Sequence, residues 1–195
     1  MLRIRLLSAV LGSILAAFLV TSPADGSIVQ SLELEELTAE ADRIILGRVV
    51  FSEPFVRQSG QIWTSHRIAV EREIRGRAPD EDEVIVETMG GQIGDIAMRV
   101  EGEATFRVGE RVLVFARGGG PYTAFRPVGM AQGVMRVRRE RGVDTVHQSR
   151  EGLMLVRRDA QGRLKRDFGA LPDPERLDAF ISRLRQITAR QEAGR

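Results

Sequence analysis

The sequence predicts a mainly β protein, an OB-like Greek-key barrel, closed or partly open, with a short N-terminal helix and a C-terminal amphipathic helix. Three observations carry this. Seven to nine short β-branched or apolar runs are separated by turn residues about every 8–12 positions, the spacing of a barrel or a sandwich. One run, Arg111-Val112-Leu113-Val114-Phe115, is apolar on both faces, which suits a central strand covered on both sides. A 3.6-period apolar stripe closes the chain. Five core strands in this length fit an OB-like Greek key, with a helix at each end to cover openings or edges.

Taken in order, Leu34 to Ala41 (LEELTAEA) reads as a short helix with Ser31 as its candidate N-cap. Glu33, Glu35 and Glu36 sit near its positive end, and Leu34, Leu37 and Ala41 share a face. Ile44 to Phe51 follows as a strand in which Gly47 marks a bulge or a close backbone approach. Ser52 to Gln61, with Pro54 and Gly60, reads as a polar loop. Ile62 to Ile74 alternates as a long strand whose core face carries Thr64, His66, Ile68 and Val70. Arg75 to Pro79 turns the chain and Asp80 to Glu83 forms an acidic loop. Val84 to Thr88 is a strand, Met89 to Gly94 a glycine-rich loop, and Ile96 to Val100 a short strand.

The central strand lies between the Val108-Gly109-Glu110 turn and Gly118-Gly119-Gly120-Pro121. Tyr122 to Val128 returns as a strand. Gly133 to Arg139 and Asp144 to Gln148 form a hairpin across Glu140-Arg141-Gly142, and Leu153 to Arg158 is the last strand. For the final helix, Asp173 is the expected N-cap, with Pro174 at the first helical position and Glu175 in the first turn. Leu177, Phe180, Ile181, Leu184 and Ile187 form its stripe, and Arg183, Arg185 and Arg190 lie toward its negative end.

The first 24 residues read as a signal peptide. Arg3 and Arg5 make a basic start, Leu6 to Val20 an uncharged apolar run, and Ser22 and Ala24 the small residues of a cleavage site. Cleavage is expected after Ala24, with Gly26 as the second choice. The alternative is an uncleaved anchor, but the apolar run has 15 residues where a span needs about 20. The organisation expected is 1–24 signal peptide, 25–170 β-barrel domain and 171–195 C-terminal helix, packed on the barrel or appended to it. The product is expected to be exported, periplasmic or secreted, with no integral membrane anchor after cleavage. The chain has no cysteine, which excludes a lipid anchor at cysteine, a thiol nucleophile, a cysteine metal site, a redox motif and disulfides. The core alone must hold the domain.

Charge is divided along the chain. From Asp25 to Glu110 there are 18 acidic and nine basic residues; from Arg111 to Arg195 there are nine acidic and 18 basic. Such a division serves a partner surface, or lets the two halves pair within one fold.

Several pieces together suggest a family. Ala41-Asp42 closes the first helix before Ile44-Ile45-Leu46-Gly47-Arg48-Val49. Trp63-Thr64 opens a strand that ends in Ile74-Arg75-Gly76, and Val84-Ile85-Val86 precedes Gly90-Gly91. Phe106-x-x-Gly109-Glu110-x-x-Leu113-x-Phe115 and Gln132-Gly133 follow. From about Leu34 to Val137 this order resembles a group of uncharacterised exported bacterial proteins with an OB-like barrel. Its layout is also similar to netrin-like and metalloproteinase-inhibitor (TIMP-like) domains. The resemblance implies the barrel. Those inhibitors place an N-terminal cysteine on the target's zinc, so without a cysteine that mechanism does not carry over, and no functional residue is transferred.

The sequence lacks GxSxG, GxxxxGK[ST], a GxGxxG opening a helix, HExxH and an EF-hand loop. Two histidines, His66 and His147, exclude a multi-histidine metal centre within one chain. His66 is the weak catalytic candidate: an imidazole on the core face, beside Ser65 and two residues from Thr64, can act as a base for a hydrolase. The competing reading is a hydrogen-bonded histidine at a barrel end. His147 reads as an exposed hairpin residue. Gly90-Gly91 with Gly94 and Gly118-Gly119-Gly120 are candidate anion loops or plain turns, and Glu81, Asp82 and Glu83 a weak calcium loop or a solvated one. Arg136, Arg138, Arg139, Arg157 and Arg158 form a possible binding surface within a basic region that has few stacking aromatics, only Tyr122, Phe125 and Phe168.

No cofactor and no metal are expected. The function expected is a non-enzymatic exported binding or protein-interaction module whose partner is an envelope or extracellular protein. The alternatives are a binder of anionic envelope polymers or lipid surfaces through the C-terminal arginines, and a hydrolase using His66. No nucleic-acid partner is expected.

Overall fold

The computed structural model describes residues 26–76, 82–118, 124–150, 152–167 and 173–194. The expected signal peptide, Arg77 to Glu81, Gly119 to Thr123 and Phe168 lie outside them. The strands are β1 (Ser27–Gln30), β2 (Arg43–Val56), β3 (Ile62–Arg75), β4 (Glu83–Met89), β5 (Gly91–Ile93), β6 (Ile96–Met98) and β7 (Arg111–Gly118). They continue with β8 (Phe125–Pro127), β9 (Val134–Glu140), β10 (Val143–Gln148), β11 (Leu153–Arg158), β12 (Leu164–Arg166) and β13 (Glu175–Arg176). Two α-helices, Leu34–Glu40 and Leu177–Ala193, and a 3-10 turn at Met130–Gly133 complete the described elements.

Strands β7, β2, β3, β4 and β8 are neighbours in that order, and β8 pairs back onto β7, so five strands close into an OB-like barrel. Four of the ring's five pairings are antiparallel; β4 and β8 run parallel and meet at one residue pair, Val86 with Phe125. One edge of β7 serves two partners. Val112–Val114 pair with β9, Ala116–Gly118 pair with β8, and the Met130–Gly133 turn lies between those two strands. Beyond β9 the sheet continues through β10 to β13.

Val112 to Ala116 are each 0% exposed, as a run apolar on both faces requires. Val112, Val114 and Ala116 join Ile45, Val49, Ile68, Val84, Val86 and Val134 inside the barrel. Leu113 and Phe115 point the other way, into a second layer with Leu37, Ile44, Leu46 and Met135 from the strands and first helix, and Leu177, Phe180, Ile181 and Leu184 from the last helix. Each such side chain contributes about 1.5–3 kcal/mol on burial, so both helices are held by the outer face of the central strands. Gly47 makes the close approach expected of it: a Cβ there would stand 2.4 Å from the Ala69 carbonyl oxygen, and the β2–β3 register shifts at this point.

Four expectations are corrected. Ser52–Val56 belong to β2 and not to a loop, although Pro54 lies among them. Past Arg48, β2 has left β7, so the missing N–H of Pro54 faces no ladder partner. Met89–Gly94 is likewise not simply a loop, since β5 and β6 form a hairpin across it. The first helix is capped at Glu33 rather than Ser31: the Glu33 N–H donates to Glu36 Oε2 at 2.7 Å. The last helix starts at Leu177, not at Pro174 after an Asp173 cap, because Glu175 and Arg176 pair with Val146 and Thr145 and hold the chain extended. Three strands had no strong sequence signal: β1, which runs parallel to β11, its antiparallel neighbour β12, and β13.

Candidate functional site

His66 sits inside the barrel wall, 4% exposed, on the inward row of β3. Its Nδ1 lies 2.8 Å from Ser52 Oγ and its Nε2 2.9 Å from Thr88 Oγ1. The Phe106 ring centroid is 4.7 Å from its own. Both hydroxyls are supplied by register, since Ser52 opposes His66 across β2–β3 and Thr88 lies two residues from His66's partner Val86 on β4. Neither hydroxyl is the pair near it in sequence. Ser65 belongs to the outward row, and Thr64 donates to the Gly90 carbonyl at 2.6 Å. A neutral imidazole has one donor and one acceptor, and two rotatable hydroxyls satisfy both. Burial lowers the His66 pKa to about 4, so the ring is neutral at pH 7 and a weak base. The geometry is that of a satisfied histidine filling a barrel end.

The arginines of the basic region divide between two sheets. Arg136, Arg138 and Arg139 lie on β9, and Arg157 and Arg158 on β11. Arg136 is bound to the Glu110 carboxylate and to Thr105 O and Oγ1, each 3.1 Å from Nη2. Arg139 reaches Asp144 at 3.5 Å, and Arg157 reaches Glu33 at 2.5 Å and Asp167 at 3.3 Å. Arg158 donates to the Gly162 carbonyl at 2.9 Å. Glu33–Arg157, Glu40–Arg117, Glu71–Arg111 and Glu110–Arg136 each join the acidic half of the chain to the basic half. The charge division is therefore met in part within the fold.

His147 is half-buried rather than free, with Nε2 2.9 Å from Thr145 Oγ1 and 3.1 Å from Glu140. Gly90 and Gly91 have positive φ, and a Cβ at Gly91 would lie 2.6 Å from Thr64 Oγ1, so these glycines serve close packing. In the acidic loop, Glu83 pairs with Arg67 at 3.7 Å. Among the described residues, no three or more His, Asp or Glu side chains gather as a metal site would need. Among the same residues, no helix is long and apolar enough to cross a membrane.

The feature that sequence reading missed is the outer face of β2–β3–β4. Cross-strand partners share a face of a pleated sheet, and the registers set three outward rows. Phe51, Arg67 and Ile85 form one, Glu53, Ser65 and Glu87 the next, and Phe55, Trp63 and Met89 the third. Phe51 is 40% exposed and Ile85 47%, with the Arg67 guanidinium 4.5 Å over the Phe51 ring. In the third row the guanidiniums of Arg57 and Arg126 lie 4.2 and 4.6 Å from the Trp63 ring, and Arg57 is paired with Glu87. Alternation in Ile62–Arg75 was the available signal. The rows themselves depend on pairings that no single strand encodes.

No protein-family model matches the chain, and no curated protein matches it.

Proposed function

We propose that this chain is an exported, non-enzymatic interaction module that takes a protein partner on the outer face of β2–β3–β4. The observation carrying this reading is the Phe51–Arg67–Ile85 row. Two large apolar side chains, on β2 and β4, stand exposed in one cross-strand row, with the planar Arg67 of β3 between them. Aromatic and arginine side chains on a rigid surface are what interface centres are built from. The adjoining Glu53–Ser65–Glu87 row supplies polar groups at the rim. The partner suited to this face presents an apolar strip flanked by both signs of charge, and an envelope or extracellular protein is the expected source.

The enclosed, neutral His66 does not favour the hydrolase reading. The intramolecular pairing of Arg136, Arg139 and Arg157 weakens a contact spread over the whole basic region.

The test is capture from envelope extract at high salt, read by mass spectrometry, with Phe51→Asp and Ile85→Asp in parallel. A single protein retained by the parent and lost from both variants, at unchanged circular dichroism and Tm, is the expected result. Retention unaffected by either substitution overturns the assignment of the face. A turnover abolished by His66→Ala overturns the non-enzymatic reading.

A further inference from the structure

The arginine pairing just described leaves out two neighbours. Arg138 on β9 and Arg176 on β13 are both Cα partners of Thr145 on β10, one on each side of it. The three residues form one lateral row, so both arginines project from the same face of the sheet. At about 4.8 Å per strand spacing their Cα atoms stand about 10 Å apart. Both are exposed, and among the described residues neither guanidinium has a carboxylate or carbonyl partner. Val146 points the other way into the core beneath the last helix, so the Arg138–Thr145–Arg176 face is the one turned away from that helix.

The floor of this row is fixed. Thr145 Oγ1 donates to the Arg138 carbonyl at 3.2 Å and lies 2.9 Å from His147 Nε2, and His147 reaches Glu140 at 3.1 Å. Arg136 occupies the next row, opposite His147, with its charge met by Glu110. The carboxylates on this face are therefore each engaged by a neighbour, while two flanking guanidiniums are not.

We propose that Arg138 and Arg176, flanking Thr145 on one face of the sheet, bind a phosphate or sulfate ester group. A guanidinium offers parallel N–H donors in a planar fork. One fork satisfies the two oxygens of a carboxylate. A tetrahedral oxyanion with three terminal oxygens can accept two forks from opposite sides, and the two arginines stand on strands either side of Thr145. The site lies on β9, β10 and β13, and so is independent of the β2–β3–β4 face.

Nuclear magnetic resonance of the 15N-labelled protein tests this with inorganic phosphate and sulfate as probes and chloride as the reference, at constant ionic strength. The Nε–H signals of Arg138 and Arg176 and the amide of Thr145 should shift saturably with phosphate or sulfate and not with chloride. The double variant Arg138→Gln/Arg176→Gln should weaken the response about tenfold or more, and each single variant should weaken it in part. Arg185→Gln, an exposed arginine on the last helix, should leave it unchanged. Shifts that do not saturate, that appear equally with chloride, or that persist in the double variant overturn the proposal. Flotation with phosphatidylglycerol and phosphatidylcholine vesicles separates the sources. Binding to the anionic vesicles that the double variant loses assigns a lipid headgroup. Saturable anion shifts without vesicle binding assign a soluble ester, and vesicle binding that the double variant keeps overturns the site.

Discussion

Gln132 receives the backbone N–H of Leu32 on its side-chain Oε1 at 3.0 Å, joining residues a hundred positions apart. The same amide donates through Nε2 to the Gln30 and Gly129 carbonyls at 3.0 and 3.2 Å, and Gln132 is completely buried. One side chain thus ties the end of β1 and the entry to the first helix onto the barrel.

Replacing Gln132 by Met keeps the volume and removes both kinds of partner. The part-buried Leu32 N–H and Gln30 carbonyl then lose these hydrogen bonds, which costs about 1–3 kcal/mol. Urea unfolding should show that loss. Amide exchange should show the segment from β1 to Leu32 opening before the barrel. Protection in β1 equal to that of the parent protein would refute the clasp.

Acid should weaken the fold through His66. Its pKa is about 4 when folded and 6.5 when unfolded, so between these values the unfolded chain binds a proton that the native ring does not. Stability from this group is complete above pH 6.5 and falls as pH drops toward 4, by about 3 kcal/mol in all. Urea midpoints measured at pH 7, 5.5 and 4 should decline over that window, and His66→Gln should flatten the decline. A His66 titration midpoint near 6.5 in the folded protein would contradict the assignment.

Gly47→Ala tests the β2–β3 crossing. The new methyl would meet the Ala69 carbonyl oxygen at 2.4 Å and Ile68 Cγ2 at 2.7 Å, so two core strands must separate. A loss of about 2–3 kcal/mol is expected, against the usual slight gain of Gly→Ala where space allows. Thermal unfolding measures it, and an unchanged Tm would show that the crossing yields at no cost.

Much of the scaffold was legible because it is written locally. Val112 to Ala116 announce a doubly covered strand by composition alone, Gly47 announces a close approach, and Leu177, Phe180, Ile181, Leu184 and Ile187 announce a buried helix face. β1, β12 and β13 were not legible, since each is two to four residues long and exists only because a distant strand receives it. The proline at position 54 concealed five residues of strand, because the sequence does not say that β2 has already parted from β7 there. The candidate sites failed to show for the same reason. Ser52 and Thr88 meet His66, Phe51 meets Ile85 across Arg67, and Arg138 meets Arg176 across Thr145 only through register, which is a property of pairs of strands.

The parallel pairing of β1 with β11 also sets a schedule. Ser27 finds its partner in Leu153, and the Leu32 clasp waits for Gln132. A chain emerging N-terminus first therefore carries its opening strand unpaired until most of the remainder has been made, and loop closure over such separations is slow. Ser27 to Gln30 thus wait for Leu153 to Val156 before they can pair, and during that interval this strand is open to whatever machinery handles the nascent chain.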